Sequence, residues 1–425
     1  MRSFRATHNL IAVSAGAAET AINTEQTLDT TMLCALSDVI NLDPRRETNA
    51  DEAHGLEEPD TIYHLGATAG TTFNFNKAQP QHFAFVLAYG LGAISTAAAG
   101  TGYEHTLTPI AGDCDGSRSI PSFTAAERFG DVILKRRFAS MFVDAFEATF
   151  AADDWVKLAA TIKGTGKYTD SVIEETVSAL PTATELTLAA NGVQGATAAT
   201  RLDNVQRIRA ELSEGVWTDV DCSAVSDASP AVITITAPGE GAVAVNYKVL
   251  YVPAEAAWCT FPARIAETPL RVAQMTLTLG GAWNGSEFTG GRALAAELKS
   301  IGWSFNNNGT ISFVPGAGDD YAGRYFRSGR TQTASLNREM RDCILQQHIE
   351  ANDTFGLRIL VEGAVYDDPH KYQVDIVFPK LGVLKAPVSV DGKVVAEAGD
   401  LQVLEDATYG SVIAKVKNLQ SAYAA

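Results

Sequence analysis

The side chains that could bind a metal or transfer a proton are spread thinly along this sequence. Seven histidines occur, and none forms an HExxH pair or another close ligand spacing. His54 and His64 lie beside several acidic side chains, which in principle could complete a metal site. Their spacing matches no known ligand pattern, so a solvated acidic hairpin is the favoured interpretation and no metal is expected.

A glycine cluster formed by Gly164 and Gly166, followed by Lys167, has some features of a phosphate-binding loop. However, Tyr168 follows the lysine where such a loop needs Ser or Thr, and Thr161 stands at the position of the first glycine. The sequence also lacks a complete dinucleotide fingerprint and a GxSxG nucleophile elbow. The cluster is therefore interpreted as a turn, and no cofactor is expected.

Three pairs of adjacent carboxylates could suggest a glycosidase, namely Asp153–Asp154, Asp319–Asp320 and Asp367–Asp368. Neighbouring acids on a strand face opposite sides, and acids in a turn usually point into water. These pairs are therefore expected to be solvated. The residue patterns support no catalytic site, and we expect the protein not to be an enzyme.

The composition limits which partners the protein can bind. The chain has 425 residues, of which 46% are hydrophobic and 20% are charged, as in soluble globular proteins of two or three domains. The formal net charge is -17 at pH 7. So acidic a surface is unsuited to binding nucleic acid, because that binding needs clustered Lys and Arg. It still permits a protein that must lie beside DNA without adsorbing it.

The cysteines indicate assembly in a reducing compartment. The five are widely spaced and include no CxxC pair, so all are expected to be unpaired and no zinc site is expected. They are Cys34, Cys114, Cys222, Cys259 and Cys343.

Two apolar stretches could be mistaken for targeting or membrane segments. Residues 10–13 follow two arginines but are too short for a secretion signal, so a first strand or an arm is expected. Residues 78–103 contain no charge and are long enough to cross a membrane. They are interrupted by glycines, however, and predict an amphipathic helix that ends at 90–92, followed by a Gly/Ala loop. No membrane span is expected.

Strand signals dominate the sequence. Residues 233–236, 276–279 and 373–378 alternate apolar and polar side chains and are rich in β-branched residues. Apolar side chains at every third and fourth position predict helices at 79–89 and 336–349. The sequence therefore predicts a mainly β protein with a few helices.

A weak internal repeat, with an offset of about 260 residues, organises the chain. In the first copy an acidic stretch separates strands around Ile40 and Phe73, and in the second a Gly/Asp loop at 316–320 separates strands around Phe305 and Tyr325. One of the two predicted helices and an extended segment follow in each copy. The order strand, polar hairpin, strand, helix, strands is therefore expected twice.

The chain between the two copies has a different character. It includes an Ala/Thr-rich segment at 188–200, and its short strands are separated by prolines. This pattern fits a small Ig-like β-sandwich inserted at the surface. We therefore expect three domains: a first copy with an N-terminal arm at 1–179, the insert at 180–262, and a second copy with a C-terminal arm at 263–425.

Three passages resemble the major tail tube proteins of long-tailed bacteriophages, in the family whose subunit carries a doubled tube domain. They are residues 80–92 with YEHTLTP at 103–109, SIPSFTA at 119–125, and the C-terminal run from LKSIGWSFNN at 298–307 through YQVDIVFPK at 372–380 to VKN at 416–418. The resemblance covers residues 20–175 and 270–420 and leaves the insert out.

The resemblance implies two pseudo-repeated β-sandwich or barrel domains, each with a flanking helix and a long hairpin that joins a continuous barrel around a channel. A closed barrel built from several chains leaves no free strand edge. Three subunits form a pseudo-sixfold ring if both copies contribute, and six are needed if only one does; the trimer is preferred. Rings would stack into a tube through loops and terminal arms, the first ~25 and the last ~15 residues.

The resemblance also implies the partners and the location. DNA and the tape-measure protein would occupy the lumen transiently, and tail terminator and tail-tip proteins would bind the ends of the tube. The protein would be assembled in the host cytoplasm and would function in the virion, as the channel through which the genome enters the host.

Acidic side chains are the candidate functional residues. Like-charge repulsion acts over roughly 8–10 Å in physiological salt, so acids at the lumen or ring edge would let DNA slide without adsorbing. The candidates in the first hairpin are Asp43, Glu47, Asp51, Glu52, Glu57, Glu58 and Asp60, and those in the second are Asp319 and Asp320.

Two other functions fit the sequence. The chain could be another β-rich virion protein, such as a capsid decoration or baseplate component, with the insert as its working part. It could also be a carbohydrate-binding or hydrolytic β-protein that uses Trp217, Trp258, Trp283 and Trp303. Tryptophans in β proteins are more often buried, which favours the structural role.

Overall fold

A computed structural model describes residues 5–110, 120–130, 134–238, 246–254, 259–265, 267–294, 297–315 and 320–424. Within these ranges the chain is mainly β with three α-helices, which confirms the predicted class. The helices are α1 (Pro80–Leu91), α2 (Ala198–Leu202) and α3 (Ile344–Ala351), and short 3-10 turns lie at Ala6–His8 and Val272–Gln274. None of the described helices has the length and apolar character that a membrane crossing requires.

The strands of the first part of the chain are β1 (Leu10–Val13), β2 (Thr30–Met32), β3 (Asn41–Thr48), β4 (Ile62–Phe75), β5 (Gly92–Ala99), β6 (Gly102–Pro109), β7 (Phe123–Phe129), β8 (Leu134–Ala151) and β9 (Lys157–Gly164). Those of the middle part are β10 (Tyr168–Asp170), β11 (Ile173–Ser178), β12 (Glu185–Thr187), β13 (Val205–Ser213), β14 (Val216–Asp219), β15 (Cys222–Val225), β16 (Val232–Ile235) and β17 (Asn246–Tyr251). Those of the last part are β18 (Met275–Trp283), β19 (Phe288–Thr289), β20 (Arg292–Leu294), β21 (Leu298–Asn306), β22 (Gly309–Ser312), β23 (Arg324–Arg327), β24 (Thr331–Glu339), β25 (Phe355–Asp367), β26 (His370–Lys385), β27 (Val388–Asp391), β28 (Val394–Val403) and β29 (Ile413–Asn418).

The chain divides into two compact units. Of the described residues, the smaller unit holds those within 1–11, 126–137 and 168–261, and the larger holds those within 12–125, 138–167 and 262–425. The larger unit thus contains most of both expected copies, and the smaller contains nearly all of the expected insert together with segments from elsewhere in the chain.

The larger unit contains a run of eight antiparallel strands in the order β3, β4, β9, β8, β21, β24, β28, β27. The first four strands come from the first half of the chain and the last four from the second half. Each group begins with two strands that precede a helix in the chain, β3 and β4 before α1 and β21 and β24 before α3. Each group ends with two consecutive strands that follow that helix, β8 with β9 and β27 with β28. The strand order is therefore the same in both groups, and the second group extends the sheet of the first.

A second run of antiparallel strands in this unit has the order β20, β18, β25, β26, β29, β6, β5. The long strand β26 belongs to both runs, because its residues 373–377 pair with β29 and its residues 381–385 pair with β28. Within the described residues neither run closes into a barrel, so strand edges remain open.

Aromatic side chains fill the core at the junction of the two strand groups. The Phe146 ring stacks on Phe305 with centroids 4.9 Å apart and meets Trp303 edge-on at 4.9 Å. Trp303 in turn meets Phe378 of β26 edge-on at 5.4 Å. Pairs of this kind contribute about 0.5–1.5 kcal/mol beyond the burial of their area. The period-two pattern of these strands places all four rings on the buried face.

Helix α1 confirms the first predicted helix and is buried along its whole length. Pro80 occupies its first turn, where the missing N–H costs nothing. Gly92 ends it with a φ of 90°, a left-handed conformation that favours glycine. The Tyr89 hydroxyl donates a hydrogen bond to the Ser14 carbonyl at 2.8 Å, so the N-terminal segment covers one side of the helix.

The C-terminal segment is also packed within its own chain. Tyr423 is 1% exposed, and its hydroxyl accepts a hydrogen bond from the Asn418 amide at 2.6 Å. Its ring meets His105 edge-on at 4.9 Å, and the Ala424 N–H donates to the Ala15 carbonyl at 2.9 Å. Residues from both expected terminal arms therefore belong to the core of the larger unit.

The second predicted helix is wrong in its bounds. Helix α3 begins at Ile344, whereas residues 336–339 belong to β24. Alternate β24 side chains, including Leu336 and Arg338, are buried, which is a period of two and not of 3.6. Arg338 is held by Glu397 on β28 at 2.8 Å, so pairing with a distant strand overrides the helical spacing of this sequence.

The loop expected after Gly92 is also wrong. Residues 92–99 form strand β5, which pairs with β6 over its whole length. Alanine and glycine have low strand propensity, but the neighbouring β6 residues Leu107 and His105 are buried and fix the ladder. Tertiary packing therefore decides the conformation of this segment.

The smaller unit contains a β-sandwich of the kind predicted for the insert. One sheet has the order β11, β17, β13, β14 and the other the order β12, β16, β15. Ile208 and Val249 of the first sheet share one core with Leu186 and Ile233 of the second. Alternating β-branched residues on short strands supply both inner faces.

The buried ion pair of Arg338 and Glu397 supports a first prediction. Both side chains are fully buried, and Arg338 also binds Asp342 at 2.8 Å. We expect Arg338→Met to lower the free energy of unfolding by about 3–5 kcal/mol, because it leaves Glu397 buried without its cation. The double variant Arg338→Met/Glu397→Leu should recover most of that loss in urea unfolding. Equal losses in the two variants contradict the role of the pair.

Glu267 supports a second prediction, on pH dependence. It accepts hydrogen bonds from the N–H groups of Gln81 at 2.8 Å and Leu419 at 3.3 Å, and burial raises its pKa from 4.5 to about 7. The folded state therefore favours the protonated carboxyl, so this contribution to stability is present below pH 4.5 and is lost as the pH rises through about 7. Between about pH 5 and pH 8 the free energy of unfolding should fall by roughly 2–3 kcal/mol because of this residue.

The Glu267→Gln variant should lack that fall when unfolding is measured across the same pH range. The matched control is Glu47→Gln, which neutralises an exposed carboxylate on β3. A Glu267→Gln variant with the pH dependence of the wild type shows that other groups are responsible.

Candidate assembly surface

The run of eight strands ends in two free edges. β3 is paired along its length with β4, and no described strand lies on its other side. Seven of its eight residues are exposed. β27 is paired with β28, and all four of its residues are exposed. Edge strands present unpaired N–H and C=O groups that can bind another strand.

At the junction between the two strand groups, the edge strands β8 and β21 cover each other. β8 and β21 pair in an antiparallel register with Phe150 opposite Ile301 and Ala148 opposite Trp303. These four side chains are buried. The junction joins the last strand of one group to the first strand of the next. β27 and β3 are therefore the last and first strands of the whole run.

The edge at β27 is unusually apolar for an exposed strand. Val388 is 49% exposed and Val390 is 72% exposed. Val388 lies opposite Glu397, a residue that faces the core, so both valines are on the core-facing side of the sheet. The sequence reasoning missed these residues, although the alternation in Val-Ser-Val-Asp is a strand signal. Proteins usually protect an edge with charges or prolines, and the two valines provide neither.

The free face of the sheet carries small polar side chains. Outward positions at its centre are occupied by Thr161 on β9, Ser304 on β21 and Thr333 on β24. A shallow depression of about 390 Å³ crosses this face where Gly302 has no side chain. Glu147 and an ion pair of Lys385 with Asp400, 2.9 Å long, lie among its lining residues. Hydroxyl groups and a small excess of acidic charge therefore line this depression.

The acidic residues predicted for the first hairpin all lie together on β3 and the loop that follows it. Each of the seven is exposed, at Asp43 and Glu47 on the strand and at Asp51, Glu52, Glu57, Glu58 and Asp60 in the loop. Arg45 and Arg46 are the basic residues of β3 itself. The hairpin therefore has a strong negative potential at its tip.

Two local contacts hold this acidic loop. The Asn49 amide donates to Asp60 at 2.6 Å, and the Asn49 side-chain oxygen accepts from the Asp60 N–H at 3.1 Å. The Tyr63 hydroxyl donates to Glu52 at 2.7 Å, and this hydrogen bond raises the pKa of Tyr63. The loop is thus ordered by its own side chains while its charges stay in water.

The structure brings part of the second acidic pair to the base of the first hairpin. The Asp320 carbonyl accepts a hydrogen bond from the Ala67 N–H of β4 at 2.9 Å. Nearby, the Arg45 guanidinium lies 5.0 Å from the centre of the Phe313 ring, which precedes the second hairpin loop. Asp319 lies outside the described residues. The two hairpins are therefore in contact at this point.

Two other residues that the sequence analysis considered for chemistry form local contacts. The Lys167 ammonium donates to the Asn23 carbonyl at 2.9 Å, so it is engaged in holding a chain segment. Asp154 forms an ion pair with Lys157 at 2.5 Å, and the hydrogen bond that the Lys157 ammonium donates lowers the pKa of Asp154. Within the described residues no group of three or more His, Cys, Asp and Glu side chains is arranged to hold a metal ion.

The candidate tryptophans that the structure describes have different local surroundings. Trp303 is fully buried in the core. Trp217 of the smaller unit has the ammonium of Lys248 at 4.8 Å and the guanidinium of Arg209 at 5.9 Å from its ring centre. The Lys415 ammonium lies 5.1 Å from the ring of Trp283. Trp258 lies outside the described residues.

Comparisons with known proteins add little to this geometry. No protein-family model matches the sequence, and no curated protein does. Among solved structures, the chain is similar to the SPP1 tail tube, determined by solid-state NMR and cryo-electron microscopy, with 14% sequence identity and a TM-score of 0.23. The match covers 35% of this chain and 79% of that one. A match with so low a TM-score shows neither the fold nor the function of this chain.

Proposed function

We propose that this protein is the major tail tube protein of a tailed bacteriophage, a structural subunit that forms stacked rings around a channel for DNA. The observation that carries the proposal is the eight-stranded run made of two groups with one strand order. Within the chain, the pairing of β8 with β21 already extends the sheet of the first group by the strands of the second. Repeating the same step with further copies of the chain continues it until the sheet closes.

A ring of three subunits follows most simply, because each subunit supplies two strand groups and the ring then has pseudo-sixfold symmetry. Six subunits would be needed if only one group entered the barrel. The strand run with both groups side by side supports the trimer. Closure also removes the two exposed edges, which are otherwise a hazard for uncontrolled aggregation.

The surface chemistry supports a channel for DNA. Among the described residues, the depression on the free sheet face is lined by hydroxyl groups, Glu147 and the Lys385–Asp400 ion pair, so its lining has no cluster of cations to hold phosphates. The acidic hairpin would stand at the lumen or at the ring edge, where its field repels DNA over roughly 8–10 Å. The net charge of -17 would also repel DNA.

The remaining assignments follow from the sequence resemblance. The expected transient occupants of the lumen are DNA and the tape-measure protein, and tail terminator and tail-tip proteins are the expected partners at the ends. The expected domains are 1–179, 180–262 and 263–425, with the insert on the outer surface. The protein would be assembled in the host cytoplasm and would act in the virion.

The first test of this function is assembly. We expect the purified, concentrated chain to form hollow tubes or stacked rings in negative-stain electron microscopy. End-on views with threefold symmetry support the trimer, whereas strict sixfold symmetry supports a hexamer. Monomers that persist after tail-tip proteins are added overturn the proposal.

The second test concerns the acidic hairpin. Assembled wild-type tubes should not retain short duplex DNA at low ionic strength in a sedimentation assay. A variant with Asp51, Glu52 and Glu57 changed to Lys should retain it, and retention should fall steeply as salt is added, because phosphate binding releases counterions.

The matched control changes three exposed acids of the smaller unit, Glu185, Glu214 and Asp221, to Lys. This control has the same net charge as the hairpin variant. Equal DNA retention by both variants shows that net charge alone matters and removes the special role of the hairpin.

A further inference from the structure

Residues 16–28 connect β1 to β2 and form a strap over the larger unit. None of these residues is buried, so the position of the strap depends on hydrogen bonds more than on apolar burial. We propose that Asn23 of the strap is the residue that holds the second hairpin, β22 and β23 with their connection, against the first strand group, and that assembly needs this contact. The inference rests on the proposed function, since it takes the two hairpins to enter a ring together.

Three consecutive residues of the second hairpin lie against the first strand group. The Ala67 N–H of β4 donates to the Asp320 carbonyl at 2.9 Å, and Ala67 also forms a parallel bridge with Tyr321. The Ala322 N–H donates to the carbonyl of Thr165, one residue beyond β9, at 2.9 Å. Ala322 and Thr165 are fully buried. This short segment therefore lies against β4 on one side and against the end of β9 on the other.

Asn23 completes this contact from the strap. Its side-chain amide donates to the Ala322 carbonyl at 3.0 Å, and its side-chain oxygen accepts from the Thr165 hydroxyl. Its backbone N–H donates to the Ser140 hydroxyl at 2.7 Å, and its backbone carbonyl accepts from the Lys167 ammonium at 2.9 Å. All four polar groups of Asn23 are thus engaged. They join β8, the residues that follow β9, and the second hairpin.

The backbone and the side chain of Asn23 both favour asparagine at this position. Its φ of 62° lies in the left-handed region, which Asn tolerates better than most residues with a Cβ. A carboxylate in its place could still accept from Thr165 but has no N–H for the Ala322 carbonyl. Glycine would keep the backbone conformation and lose both side-chain hydrogen bonds. Substitution by glycine therefore isolates the contribution of the side chain.

Glu19 holds the strap in the position that Asn23 requires. Its carboxylate accepts from the hydroxyls of Ser122 at 2.8 Å and Thr124 at 2.7 Å, both in the SIPSFTA passage. It also accepts from the Ser140 N–H at 2.9 Å and the Ser140 hydroxyl at 2.5 Å. The same Ser140 hydroxyl accepts from the Asn23 N–H. Because hydrogen bonds to a charged acceptor are stronger than neutral ones, this carboxylate fixes the strap next to Asn23.

The contact bears on assembly because the two hairpins belong to different strand groups. The first hairpin carries the seven exposed acids, and the second packs beside its base through Asp320. Association costs less free energy when the binding segments are already ordered in the free subunit. A subunit whose hairpins are held in one relative position before it binds therefore joins a ring more readily than one whose second hairpin moves.

Hydrogen exchange of the unassembled chain tests the contact directly. In Asn23→Gly, the amides of Ala67 and Ala322 should exchange about tenfold faster than in the wild type, because two hydrogen bonds that restrain local opening are lost. The matched control is Asn352→Gly, which changes another left-handed asparagine, at the end of α3. The control should leave both amides unchanged. Unchanged exchange in Asn23→Gly overturns the inference.

Assembly provides the second readout. The protein concentration at which rings or tubes first appear in negative-stain electron microscopy should rise about tenfold in Asn23→Gly, because the second hairpin must then be ordered on binding. The Asn352→Gly control should assemble as the wild type does. Thr165→Val removes one hydroxyl donor and should give a smaller change in the same direction in both experiments. It also serves as the test if circular dichroism shows that Asn23→Gly is unfolded.

The outcomes separate this inference from the proposed function. Faster exchange together with a higher assembly concentration supports both. Faster exchange with assembly like that of the wild type overturns the role of Asn23 in assembly and leaves the tube intact. A wild type that forms no rings or tubes overturns the proposed function and the assembly role together, while the exchange rates still decide whether Asn23 holds the second hairpin.

Discussion

The pairing of β8 with β21 is the interaction on which the larger unit depends. It turns two four-stranded groups into one continuous sheet and places Phe146, Trp303 and Phe305 in a single aromatic core. Backbone N–H and C=O groups at a strand edge must find partners, and this pairing satisfies one edge of each group. The same constraint leaves β3 and β27 unsatisfied. Within the chain no described strand covers them, and this is the basis of the assembly proposed above.

The two strand groups have the same order but different surroundings. Helix α1 is buried on all sides, with the N-terminal segment bound to Tyr89. Helix α3 has only Leu345 fully buried. A helix covered on all sides needs apolar side chains around its whole circumference, whereas an exposed one needs them on a single stripe. This difference in burial explains why the repeat is faint in the sequence although the strand order is preserved.

Two surfaces of the larger unit differ in their charge. Small hydroxyl side chains occupy outward positions at the centre of the free sheet face, and the seven acids of the first hairpin lie on β3 and the loop that follows it. Exposed strand positions favour Thr, because its branched side chain packs beside its neighbours on the pleated surface. A hairpin tip has no such neighbours, so it can carry many like charges in water. The acidic charge is therefore placed where it does not disturb the ladder.

Local patterns in the sequence determined the β class, the strands with strict alternation such as β16 and β26, and helix α1 with its proline and glycine ends. They also showed the absence of recognisable catalytic motifs and the acidic hairpin. Only the tertiary structure decided that residues 336–339 are strand, because Arg338 binds Glu397 from a distant part of the chain, and that residues 92–99 pair with β6. It alone revealed the free edges and the exposed Val388 and Val390, since exposure depends on which strands are neighbours. The periodicity of apolar residues indicates which side chains of one helix or strand are buried. It does not indicate which distant strands pair, because pairing depends on residues far apart in sequence.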